Sequence, residues 1–167
     1  MPAPRFLSDE DYKLACSLMP IVCIDLLVRD AADQVLLGFR ANEPAAGSWF
    51  LPGGRIRKGE KLDDAFGRLA RQELGLEATG IADARLRGVY EHFYDTDFTG
   101  DLLAPTHYVT LAYELPARLE LQLPEGEQHQ RWAWMSVDAL LEDAHVHRWT
   151  KAYFDAASHG HLIRDAR

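Results

Sequence analysis

Cysteine is scarce in this chain, with only Cys16 and Cys23 among 167 residues. The two fall on different expected elements, which argues against a disulfide framework or a cysteine zinc site and leaves reduced core thiols. Long apolar runs are missing as well. The stretch from Met19 to Ile24 is stopped by Asp25, far short of the roughly 18 residues that a bilayer-spanning helix needs, so no membrane span is expected. The opening MPAPRFLSDED carries one Arg, several acids and no apolar stretch. That is the wrong composition for a targeting segment, and a cytoplasmic location is expected. Basic residues are in deficit, 18 against 26 acidic, for a net charge of −8. This excludes a broad nucleic-acid surface. An anionic substrate would need a local cation or a few arginines to overcome the protein's own field. There is no repeat, low-complexity tract or linker. The 47% of hydrophobic residues suffice for one domain with its own core, spanning 1–167.

The order of elements follows from local signals. Ser8 is an N-cap before Asp9, Glu10 and Asp11, opening a helix over about 8–18 that Pro20 ends. Ile21 to Arg29 and Val35 to Arg40 are β-branched or apolar runs around a polar turn, and a hairpin is expected. Alternation puts Asp25 on one face with Cys23 and Leu27, where an acid is out of place. It is either a partly buried acid paired with an Arg or a group reserved for substrate. Trp49 to Leu51 is short and extended, ending at Pro52-Gly53-Gly54. From Lys61 to Leu76 the period changes: Leu62, Ala65, Phe66, Leu69, Ala70 and Leu74 recur at three and four, as on an amphipathic helix, with Gly75 near its end. Arg85–Tyr94, His107–Leu115, Leu119–Leu123 and Arg131–Met135 read as strands, with a Gly- and Asp-rich loop at Asp95 to Pro105. Ser136 caps a helix to about Glu142, a last helix covers His147 to Ala157, and the tail after about residue 158 frays. Interleaved strands and helices imply an α/β sandwich.

Residues 54–76, GRIRKGEKLDDAFGRLARQELGL, closely resemble the signature of the Nudix hydrolases. Gly54, Glu60, Arg68, Ala70, Glu73, Gly75 and Leu76 fall on its fixed positions, while two of its helical glutamates are Leu69 and Gln72 here. Positions 69, 72 and 73 stand at i, i+3 and i+4, so they share one helix face. Where three carboxylates would gather several divalent ions, this chain keeps one. Glu73 alone suits a single Mg²⁺ completed by neutral oxygens, water and substrate phosphates. Glu60 and Arg68 are expected to pair and hold the loop to the helix. Arg55 is the better placed of Arg55 and Arg57 to reach a phosphate.

The reduced signature resembles that of the GDP-mannose mannosyl hydrolases. Similarity extends from about Phe6 to Phe154, through LLGFRANEPAAGSWFLPGGR (Leu36 to Arg55), YEHFYDTDFTG (Tyr90 to Gly100), THYVTLAY (Thr106 to Tyr113) and EQHQRW (Glu127 to Trp132). The resemblance implies a Nudix-type α/β/α sandwich with a mixed β-sheet, a nucleotide-sugar substrate and a homodimer. It implies one Mg²⁺ per active site, replaceable by Mn²⁺, held by the Gly53 carbonyl, the Glu73 carboxylate and the Gln128 side-chain carbonyl. His129 would be the general base. Arg40 and Arg55 would neutralise the departing GDP, with Asp25 and Tyr108 near substrate and leaving group. His92 matches a further histidine of the family, although a strand histidine with ordinary partners would look the same. His145, His147, His159 and His161 read as surface residues.

One metal, two arginines and a neutral histidine favour attack on the sugar's anomeric carbon over attack on phosphorus. The expected products are GDP and the inverted free sugar, from GDP-mannose or GDP-glucose. One alternative is a phosphorus-attacking pyrophosphatase releasing GMP and sugar 1-phosphate. Another is a non-catalytic nucleotide-binding domain that kept the fold.

Overall fold

A computed structural model describes residues 7–155 apart from 44, 98, 102–104, 117–118 and 125–128, with backbone alone at 129–130. The expected frayed tail and Gln128 lie outside the described residues. Ser8 accepts the Asp11 N–H at 3.1 Å and opens α1 (Asp9–Leu18), satisfying one of the amides that a helix start leaves without an internal partner. Next come β1 (Ile21–Leu27), β2 (Val35–Arg40), β3 (Trp49–Phe50), β4 (Gly53–Arg55) and α2 (Leu62–Leu74). The chain continues with β5 (Arg85–Tyr94), β6 (Thr106–Glu114), β7 (His129–Met135), α3 (Val137–Glu142) and α4 (Arg148–Ala152).

The strands form a four-stranded sheet in the order β4-β1-β6-β5 and a three-stranded sheet in the order β3-β2-β7. The first is mixed, since β1 runs parallel to β6 and antiparallel to β4. Alternation along β1 divides the core. Ile24, Leu26 and Val28 join Ala65, Phe66, Leu69, Ala70 and Leu74 of α2. Leu27 faces the other way and clusters with Leu37, Leu51, Leu140 of α3, Val146, and Tyr153 just after α4. Each strand residue thus serves one helical layer, as expected of an α/β/α sandwich. No helix among the described residues is long and apolar enough to cross a membrane.

Three expected elements differ in the structure. β1 and β2 are not a hairpin: they belong to different sheets and meet only near the turn, where Arg29 bridges Val35 and the Leu36 N–H donates to the Val28 carbonyl. Residues 119–123 form no strand. Leu119, Leu121 and Leu123 pack into the α2 cluster, and the Gln122 N–H donates to the last carbonyl of α2, that of Leu74, at 3.0 Å. Gly75 is left-handed there, with φ +69, and a Cβ on it would lie 2.4 Å from the Gln122 carbonyl oxygen, so the helix can stop under this segment only at a glycine. The last helix is short, because α4 gives way to a turn at Tyr153 and Phe154.

Candidate active site

A cavity of about 210 Å³ opens between β1, β4, β5 and β6. Its floor is Asp25, 6% exposed, on the face of β1 that alternation assigned to it. Gly53 stands opposite Asp25 in the β1–β4 ladder, and a Cβ there would lie 2.3 Å from the Ile24 carbonyl oxygen and 2.6 Å from Asp25 Oδ1. Only glycine lets the carboxylate lie across this strand. Burial pushes the Asp25 carboxyl up to about 7, against the hydrogen bond from Tyr153 and the charge of Arg40, while the charge of Glu73 raises it further. Of the two things its sequence allowed, pairing with an arginine is not what holds Asp25: its partner is a buried tyrosine, and no arginine among the described residues makes a salt bridge to it.

Tyr153 Oη donates to Asp25 Oδ2 at 2.5 Å and lies 3.2 Å from His92 Nε2. The other nitrogen of His92, Nδ1, faces Thr110 Oγ1 at 3.4 Å. Trp149 stacks on the His92 ring at 5.1 Å with planes 11° apart. Burial, then the charge of His147, brings the His92 imidazole down to about 3, so the ring is neutral at physiological pH. His147 is not a free surface residue. It caps α4 by accepting the Trp149 N–H at 3.3 Å, and its ring lies against Tyr94 and Phe50. Burial, followed by Arg148 and Arg40, lowers it to about 4.

The two arginines expected to meet phosphate line the same cavity as Asp25, His92 and Tyr108. Arg40, at the end of β2, carries its guanidinium 5.7 Å from the Phe50 ring centre. Arg55, in β4, lies 3.8 Å over the ring of Tyr12, whose hydroxyl is 3.4 Å from that of Tyr108. The rings of Phe50 and Tyr12 against the two guanidinium groups keep both charges at the cavity wall.

The loop and helix behind Gly53 are fixed by one ion pair. Arg68 donates to both oxygens of Glu60, at 2.7 and 2.8 Å, to the Arg55 carbonyl at 3.0 Å and to Gln72 Oε1 at 3.0 Å. Glu60 also accepts the Arg57 N–H at 2.9 Å, and the Arg68 hydrogen bonds hold its carboxyl below the usual range. On the helix face that would carry three carboxylates, Leu69 is 3% exposed and packs in the core, and Gln72 serves Arg68. Glu73 alone offers a carboxylate, and it is buried.

Leu26 and Ile56 make the β1–β4 bonds through Pro52 and Val22, so by strand alternation the peptide groups of Gly53 and Arg55 point away from β1. The Arg55 carbonyl does meet Arg68 of α2, and that of Gly53, two residues earlier, points the same way. A buried carboxylate and a peptide carbonyl are hard oxygen donors, the kind that Mg²⁺ and Mn²⁺ take. Among the described residues no three His, Cys, Asp or Glu side chains gather into a metal cage, and an ion here would draw its other ligands from water and substrate.

The structure brings Asp25, Arg40, Gly53, Arg55, His92 and Tyr108 to one cavity. Gln128 lies outside the described residues, and nothing is described of the His129 side chain. His129 is the first residue of β7, two positions ahead of the expected strand start at Arg131, and its backbone pairs with Arg40 across a register shift that leaves Gln130 as the extra residue. Sequence reasoning missed Tyr153 and Tyr12. Tyr12 had a signal, an aromatic on the buried side of a capped helix, whereas Tyr153 had none, because its partner is 128 positions away.

Comparison with known proteins agrees with this fold. The NUDIX domain family matches residues 19–156. The low-salt glycan biosynthesis protein Agl8 of Haloferax volcanii is 44% identical over 110 residues, covering 65% of this chain and 67% of that protein. The RNA pyrophosphohydrolase of Caulobacter vibrioides is 29% identical over 121 residues, with 65% and 67% covered. The MutT NUDIX hydrolase from Burkholderia pseudomallei superposes with a TM-score of 0.62 at 27% identity, over 81% of this chain and 95% of that one. The MutT protein from Methanosarcina mazei shares the fold, with a TM-score of 0.63 at 19% identity over 82% and 92%. The family match runs from the end of α1 past α4 and takes in every residue that lines the cavity except Tyr12, and the chain belongs to the Nudix family.

Proposed function

We propose that this Nudix hydrolase cleaves GDP-mannose, with GDP-glucose as a second substrate, to GDP and the free sugar by water attack at the anomeric carbon. The observation that carries the reading is the depleted face of α2. Leu69 is given to the core, Gln72 to Arg68, and Glu73 alone remains as a carboxylate. Attack on a diphosphate needs several cations to offset repulsion between hydroxide and phosphate oxygens, whereas attack on a sugar carbon does not. A relative named for glycan biosynthesis supports a sugar-bearing substrate.

One Mg²⁺ or Mn²⁺ on Glu73, the Gly53 carbonyl and Gln128 would neutralise the diphosphate and hold it in place. His129, neutral, takes a proton from water as the water oxygen bonds to the anomeric carbon. The bond from that carbon to the diphosphate oxygen breaks, and its electron pair leaves with GDP. Arg40 and Arg55 hold the charge that develops there. Asp25, His92 and Tyr108 orient sugar and leaving group. Water enters opposite the diphosphate, so the sugar leaves inverted. The working unit is a homodimer in the cytoplasm.

Turnover of GDP-mannose in ¹⁸O-water tests the reading. The label is expected on the anomeric oxygen, with GDP unlabelled. Label in GMP or in sugar 1-phosphate would replace this reading with phosphorus attack. Binding without any product would leave a nucleotide-binding domain.

A further inference from the structure

Tyr153 has no task in the proposed reaction, yet its hydroxyl is buried between two groups that line the cavity while Tyr153 itself does not. A phenol has one hydrogen to donate. Tyr153 Oη donates it to Asp25 Oδ2, 2.5 Å away. The phenolic oxygen is then an acceptor, and His92 Nε2, 3.2 Å away, must donate to it. Nδ1 is left with its lone pair toward Thr110 Oγ1 at 3.4 Å, which donates in turn. Donors and acceptors thus run in one direction, from Thr110 through His92 and Tyr153 to Asp25. Trp149 stacked on the ring and the Phe50 edge at 6.4 Å keep the imidazole in that plane.

We infer that Tyr153 is a positioning residue: it ties Asp25 to His92 and fixes the neutral His92 ring with its hydrogen on Nε2. The geometry sets a consequence for the cavity. With Nε2 and Nδ1 both engaged, His92 presents ring carbon to the substrate and cannot exchange protons with it, while Asp25 has one oxygen held and the other directed to the cavity side of Gly53. The effect on turnover rests on the proposed GDP-mannose reaction; the ring assignment does not.

The test uses long-range ¹H–¹⁵N spectra of the histidine rings at pH 8, where tautomers of a neutral imidazole are distinguished directly. Tyr153→Phe keeps the ring, which lies edge-on to Tyr90 at 4.5 Å, and removes only the hydroxyl. Wild type is expected to show His92 with hydrogen on Nε2 alone. Thr110→Val should leave that tautomer in place, because Tyr153 still sets it. Tyr153→Phe should give a mixture with the Nδ1–H form, and kcat on GDP-mannose should fall by about 10- to 100-fold with little change in KM. Hydrogen on Nδ1 in wild type, a flipped ring in Thr110→Val, an unchanged ring in Tyr153→Phe, or a changed ring with native kcat would each overturn the inference. If Tyr153→Phe does not fold, the wild-type and Thr110→Val spectra decide. If wild type does not turn over GDP-mannose, the proposed function fails and the spectra still decide the role of Tyr153.

Discussion

Replacing Arg68 with Met removes the guanidinium and keeps most of the apolar stem, so its effect isolates the clamp between loop and helix. The Glu60 side chain is 4% exposed and that of Arg68 15%. Two hydrogen bonds to Glu60, one to the Arg55 carbonyl and one to Gln72 vanish together, and Glu60 keeps the Arg57 N–H. Removing one partner of a buried pair costs about 3–5 kcal/mol, and partial exposure of Arg68 places this case near the lower end, about 3 kcal/mol. In a domain of this length each kcal/mol lowers Tm by about 2–4 °C, so a fall of about 6–12 °C is expected. Urea unfolding followed by tryptophan fluorescence would measure Glu60→Gln, Arg68→Met and the double variant. The double should be little worse than Arg68→Met, giving a coupling of about 2 kcal/mol. Additivity within about 0.5 kcal/mol would refute the clamp. The sign with pH is fixed: a carboxyl held below its usual range adds stability above the unfolded value and loses it as pH falls through the folded one. The gap between wild type and Arg68→Met should therefore narrow in acid.

Four further outcomes are expected. Asp25 has the opposite sign, since its carboxyl is raised to about 7; without metal, Asp25→Asn should be more stable than wild type at pH 8 by about 1–3 kcal/mol, and the difference should shrink as pH falls through 7 toward 4. A variant less stable than wild type at pH 8 would contradict the burial argument. Glu73→Gln should lose most turnover while keeping its unfolding midpoint, and Mn²⁺ titration of wild type should give one ion per site; three ions would refute the ligand set. His129→Gln should lower kcat by about 10²- to 10⁴-fold and flatten the acid side of the rate profile, and an unchanged profile would move the base elsewhere. Arg55→Lys keeps the charge but loses the planar contact with Tyr12, so KM for GDP-mannose should rise several-fold, which steady-state kinetics would show.

Much of the scaffold was legible because its signals are local. Ser8 caps α1, the three-four period marks α2, Glu60 and Arg68 sit eight apart across the loop, and a period of two is enough to turn Asp25 inward. Signals that depend on the partner were lost. The alternating leucines at 119, 121 and 123 report burial, but their neighbour is a helix end instead of a strand. The turn between β1 and β2 looks like any hairpin turn, because which sheet a strand joins is decided by strands far along the chain. His147 was assigned to the surface because a helix start says nothing about which rings will close over it. Tyr153 was invisible for the same reason.

The packing of Leu69 bears on how far such a site can be altered by substitution. A Cβ on Gly54 would come within 2.9 Å of Leu69 Cδ2, and both residues lie against the β1–α2 core. A glutamate placed at position 69 would put an unpaired charge among leucines and a phenylalanine before any extra cation had a second carboxylate to share, since position 72 is occupied by the partner of Arg68. A change at 69 alone is a loss of stability with no gain in ion binding, and a change at 72 alone loosens the Arg68 clamp. Leu69 and Gln72 thus lock the helix face together: a crowded-metal site is reachable from this chain only by changing both positions and their packing at once.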